Sequence, residues 1–87
     1  MMDLGLHTGD AARAISFDGQ VFVFESPRAF APGAPIGFVA QFPDREHAFE
    51  GRCLGSKRTG NDVFTVRLRF VNLTRVERDA LIAGLGA

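Results

Sequence analysis

Between Val63 and Arg78 the chain changes its hydrophobic period. Phe64, Val66, Leu68 and Phe70 alternate with Thr65, Arg67 and Arg69, the period of two that marks a half-buried strand. Shortly after, the pattern becomes a helix start, with Thr74 as N-cap and Glu77 three positions on. Hydroxyl and carboxylate at that spacing satisfy two otherwise unpaired backbone N–H groups. Leu81, Ile82 and Leu85 then form an apolar stripe, and Gly84 and Gly86 stop the helix. With Val76 the stripe makes a plug suited to the open end of a barrel. A helix of about three turns is not stable alone, so it must dock.

Upstream, Arg13–Phe17 and Gln20–Phe24 alternate on either side of Asp18-Gly19, a pair that accepts the positive φ angles of a type I′ hairpin turn. Pro27, Pro32, Gly33 and Pro35 punctuate a loop over Ser26–Ala34. Ile36, Phe38, Ala40 and Phe42 share one face of the next strand, which Pro43–Glu46 ends with a charged turn. Phe49–Lys57 reads as a strand bent at Gly51 and Gly55, and Thr59–Asp62 closes the following hairpin. Residues 1–11 read as a loose N-terminal arm with at most a short strand near Leu4–His7, and residues 12–87 as a single domain. Five or six short strands followed by one helix predict a mainly β fold, a small antiparallel five- or six-stranded barrel with a C-terminal α-helix.

Composition narrows the function classes. Nine Phe residues, without Trp or Tyr, supply the core of a chain of 87 residues, which is room for one domain. Ten basic residues balance ten acidic ones, so no global field draws the chain to nucleic acid or an anionic membrane. Cys53 stands alone and no charged leader precedes an apolar run, which points to the cytoplasm. The longest mainly apolar stretch, Ala29–Phe42, is broken by Pro and Gly and falls short of the ~18–20 residues of a membrane span. His7 and His47 lack partners at ligand spacing, and Ser16 has no His at a readable distance. No metal, cofactor or enzymatic activity is expected.

Two surfaces are candidates for binding. If the Thr59–Asp62 turn pairs residue 58 with 63, Arg52 lies opposite Arg69, Leu54 opposite Arg67, and Cys53 faces the core opposite Leu68. The resulting strip, with Lys57 and Arg58 near the turn, suits a phosphate, RNA or an acidic protein. Its alternative is a solvated face offset by Glu46 and Glu50. Nucleic acid is disfavoured, because neither interleaved exposed aromatics nor a basic balance is evident. The second surface is apolar. Val21/Val23 and Phe22/Phe24 lie on opposite faces of one strand, so one pair points outward unless covered. With Phe17 they form the expected protein-contact face or homodimer seam.

The run Leu68-Arg69-Phe70-Val71-Asn72-Leu73-Thr74, followed by Glu77-Arg78 and Leu81, resembles the end of a PilZ domain, the bacterial cyclic di-GMP receptor module. That family closes with a similar strand and a Ser or Thr that starts the last helix. Phe30-Ala31-Pro32-Gly33-Ala34-Pro35-Ile36, Phe42-Pro43-Asp44 and Phe49-Glu50-Gly51-Arg52-Cys53 fit its order and spacing, so the likeness covers about residues 14–85. It implies a PilZ-like barrel. In the family's Asp/Asn-x-Ser-x-x-Gly ligand motif, Ser16 and Gly19 match, while Ala14 replaces the hydrogen-bond acceptor. The Arg-x-x-x-Arg motif is missing, since only Arg13 precedes Ser16 and too little chain remains to supply the arm. Paired guanidinium groups give bidentate phosphate contacts that a lone Arg cannot reproduce. The resemblance therefore implies a non-enzymatic adaptor that binds a protein partner in cyclic di-GMP, type IV pilus or motility regulation. The alternative is a weak or atypical cyclic di-GMP receptor using Arg13, Ser16, Gly19, Arg67 and Arg69, completed by a second copy in a dimer.

Overall fold

Alternation becomes a wall with an inside and an outside. In a computed structural model describing residues 2–85, the elements are β1 (Asp3–Leu6), β2 (Ala11–Phe17), β3 (Val21–Ser26), β4 (Pro35–Gln41), β5 (Glu46–Gly60), β6 (Val63–Phe70) and α1 (Arg75–Gly84). The six strands close as an antiparallel barrel in the order β1-β2-β3-β6-β5-β4. The expected small barrel with a terminal helix is present, with six strands.

The expected loose arm is corrected by β1, which is a stave of the barrel. It pairs with β2 (Leu4 opposite Ala12) on one side and with β4 (Leu4 opposite Ala40) on the other. Leu4 and Leu6 are buried, so burial of two large aliphatics fixes a strand only four residues long.

Inside, large and small side chains alternate as a narrow barrel requires. Phe22 stacks on Phe38 with ring centroids 5.2 Å apart, and Phe38 on Phe49 at 5.3 Å. Ala12, Ala14 and Ala40 make room for them. Gly51 is fixed by close approach: a Cβ there would strike the Arg69 carbonyl oxygen and lie 2.7 Å from Leu68 Cδ2.

The hairpins form with altered turns. Among Asp18 and Gly19 only Gly19 has positive φ (98°), so the turn is not type I′, which needs both. Phe17 faces Phe22, and the Asp18 carboxylate closes the loop by accepting from the Gln20 and Val21 N–H groups at 2.8 and 2.7 Å. A bulge at Ile15 separates the pairs Ala14–Phe24 and Ser16–Val23 and leaves Ile15 42% exposed. In the β5–β6 hairpin, Gly60 faces Val63 and Arg58 faces Phe64, rather than 58 facing 63. Two register shifts, around Leu54 and around Thr59, bring the expected pairs Arg52–Arg69 and Cys53–Leu68 back opposite each other.

Asn72, at φ 57°, turns the chain from β6 into the helix in a conformation that Asn tolerates better than most residues. The Thr74 hydroxyl accepts from Glu77 N–H at 3.1 Å, and the Glu77 carboxylate accepts from Thr74 N–H at 2.9 Å. That is the expected capping box. Leu81 is fully buried, and Gly84 lies against Met2 and Phe42. The apolar stripe is narrower than expected: Val76 is 71% exposed, and Ile82 also faces solvent. Gly86, the second expected helix stop, lies outside the described residues. No helix among the described residues is long and apolar enough to cross a membrane.

Candidate functional site

The outward face of β3, β6 and β5 carries a basic ladder. Val21, Arg69 and Arg52 form one cross-strand row; Val23, Arg67 and Gly55 form the next; Glu25, Thr65 and Lys57 follow. Arg52 and Arg69 are direct neighbours, where like charges destabilise a sheet unless an anion offsets them. Gly55 presents no side chain, and the Arg67 guanidinium lies over it. Leu54, expected opposite Arg67, is instead the extra residue of the bulge. Arg52 donates to the Gly33 carbonyl at 3.3 Å. Among the described residues the ion pairs are Arg28–Asp10 and His47–Glu77, so Arg52, Arg67 and Arg69 have no carboxylate partner there.

At one end of the ladder lies a hollow of about 250 Å³, lined by Gly19, Gln20, Arg69, Phe70, Leu73 and Arg78. Each wall is held by a local device. Asp18 fixes the turn that carries Gly19 and Gln20; its carboxyl is held below the usual range by the Val21 and Gln20 N–H groups. Arg78 follows Glu77, whose carboxylate is bound twice. Its Oε1 accepts from Thr74 N–H, and its Oε2 lies 2.6 Å from His47 Nε2 on β5. The Thr74 backbone N–H, and after it His47, hold the Glu77 carboxyl below its ordinary value. The capping box thus anchors the helix start to the barrel wall and sets Arg78 at the hollow beside Arg69.

The residues expected in a ligand site are only partly brought together. Gly19 and Arg69 share the hollow. Ser16 is exposed and lies in the row of Val23 and Arg67. Arg13 is separate: it faces Glu25 across the β2–β3 ladder and lines another depression with Asp3, Glu25 and Asp62. Gln20 and Arg78 were not among the expected residues. For Arg78 the available signal was its place directly after the capping Glu.

The expected apolar contact face requires correction. Phe22 and Phe24 are 0% exposed and form the centre of the core. Phe17 is half-buried, packed edge-on against Phe22 and Phe70 with centroids 6.0 and 5.4 Å apart. Val21 and Val23 are the outward pair, each half-buried. Burial of two aromatic rings stabilises more than burial of two valines, and that difference chose the face.

These features define a small closed β-barrel, lidded by a helix, with a basic outer face. No protein-family model matches the chain, and no curated protein is similar to it.

Proposed function

We propose that the chain is a PilZ-like, non-enzymatic, cytoplasmic adaptor domain that binds a protein partner in bacterial cyclic di-GMP, type IV pilus or motility signalling. The observation that carries this reading is the cluster of guanidinium groups at Arg52, Arg67 and Arg69 without carboxylate partners among the described residues, framed by Val21, Val23 and Leu54. An acidic segment offsets the repulsion between Arg52 and Arg69, and guanidinium–carboxylate pairs are bidentate and directional. The flanking aliphatics exclude water around those pairs. The balanced net charge makes this attraction local to the ladder. Each charge-assisted bond contributes about 1.5–3 kcal/mol, so removing two weakens binding by roughly 10²–10⁴-fold. The test is affinity capture from bacterial extracts, identification of the partner, and calorimetry of the purified pair. Arg52→Ala with Arg69→Ala is expected to weaken the complex by that factor without lowering the melting temperature of the free domain, since the two facing charges are removed together. Unchanged affinity in the double variant would reject the ladder as the contact.

A second reading, an atypical cyclic di-GMP receptor, is favoured by the hollow itself. Arg69 and Arg78 supply from two elements the pair of guanidinium groups that the sequence lacks in one motif, beside Gly19 and near Ser16 and Arg67. Titration with cyclic di-GMP separates the readings. Saturable heat at micromolar ligand, lost in Arg78→Ala, would establish the receptor; sedimentation of the liganded chain would then tell whether a homodimer completes the site.

A further inference from the structure

The barrel is closed, yet one flank of β5 is open. β4 accompanies β5 from Glu46 to Arg52, and Gly33 and Ala34 add backbone bonds to Cys53 at 2.7 and 2.9 Å. β6 continues beside β5 to Gly60. Beyond Cys53, among the described residues, the loop after β3 meets β5 only through a side chain. Ser56 Oγ donates to the Phe30 carbonyl at 2.7 Å and accepts from its N–H at 2.9 Å. Lys57, Arg58, Thr59 and Gly60 are all exposed. Among the described residues their flank away from β6 has no strand beside it.

We infer that the free edge of β5 at Lys57–Gly60 is a strand-addition site for an extended acidic segment of a protein partner. An open edge offers backbone donors and acceptors to an added strand. From Gly55 to Arg58 the pairing with Arg67 to Phe64 is regular, so the free template is straight at Lys57 and Arg58, and the register shift around Thr59 marks its far end. Charge decides the occupant. A second copy of this chain would pair edge to edge about a two-fold axis, setting Lys57 and Arg58 against Lys57 and Arg58. A strand carrying alternate carboxylates meets them favourably. The opposing groups on this wall are Glu25, two strands away in the row of Thr65 and Lys57, and Asp62 in the turn; neither is ion-paired with Lys57 or Arg58. Arg58 Nε instead donates to the Gly60 carbonyl at 3.2 Å. The inference rests on the adaptor reading for the class of partner, and it places that partner's main chain on the hairpin.

The test uses the full chain, labelled with ¹⁵N, and an end-blocked ten-residue peptide of alternating Glu and Thr. The same peptide N-methylated at every second residue removes the backbone donors of one edge. Saturable amide shifts and slowed hydrogen exchange should centre on Lys57–Gly60. Affinity should fall at least tenfold on N-methylation, and again in Lys57→Glu with Arg58→Glu, which keeps the hairpin's own pairing. Equal binding of the N-methylated peptide, with shifts centred on Arg52, Arg67 and Arg69, would overturn the edge site and leave the adaptor reading intact. Binding of neither peptide would overturn the edge site, as would self-association through the hairpin at the concentrations used.

Discussion

Gly51→Ala tests the barrel geometry on which the basic ladder depends. The added methyl would strike the backbone carbonyl of Arg69 and sit 2.7 Å from Leu68 Cδ2. Leu68 is fully buried and cannot swing into solvent, and a main-chain oxygen has no rotamer to change. Overpacking a closed core costs about 1–3 kcal/mol; the reduced freedom of the unfolded chain returns about 0.4–1 kcal/mol. Because the clash is with backbone, we expect a net loss of roughly 1–2 kcal/mol. For a domain of this size that lowers the melting temperature by about 4–16 °C, at 4–8 °C per kcal/mol. Gly37→Ala is the control, since its nearest obstacle is His7 Cβ at 3.6 Å, an ordinary contact. Far-UV circular dichroism is the suitable probe, as the chain has neither Trp nor Tyr. Equal stability of the two variants would refute the close approach of β5 to β6. Amide shifts in Gly51→Ala should also spread to Arg69, which ties the packing defect to the binding face.

Phe22→Asp should unfold the domain, because it places an unpaired carboxylate in the centre of the core, whereas Val23→Asp should leave a folded barrel; a native-like spectrum for Phe22→Asp would contradict the burial. The folded-state carboxyl of Glu77 is depressed, so its contribution to stability is present above the ordinary carboxylate value and is lost as pH falls through the depressed one. Glu77→Gln keeps an acceptor for the Thr74 N–H, so the gap in unfolding free energy between it and the parent should be largest near neutrality and close in acid. A gap independent of pH would count against a carboxylate at Glu77 held by the Thr74 N–H and His47.

The junction of β6 with the helix was legible because its signals are local: a strict alternation, then Thr74 and Glu77 at capping distance. Period two also gave the pairs Arg52–Arg69 and Cys53–Leu68, although the turn that suggested them forms differently. Two bulges absorb the two residues by which the turn departs; the first adjoins Gly55, where a bend was expected, while nothing in Thr59 announces the second. Direction was harder than periodicity. In β3 both faces are apolar, so alternation cannot say whether Val21 and Val23 or Phe22 and Phe24 point inward; the neighbouring Phe38 and Leu68 decide it. β1 was undervalued because four residues with a glycine among them carry little pattern, and its stability comes from partners distant in sequence. The hollow at Arg69 and Arg78 joins three elements, and the open edge of β5 depends on where β4 begins. Neither has a signature in consecutive residues.

The pairing of β1 with β4 has a kinetic consequence. Asp3–Leu6 leaves the ribosome well before Phe38–Ala40, and Met2 meets Gly84 only when the last turn of the helix has been made. In the barrel order β6 joins β3 to β5, so the cylinder closes only once its last strand has been made, and such long-range closure slows folding. Until then Leu4 and Leu6 lie open to water on a nascent chain, and chaperones have most to shield in that interval.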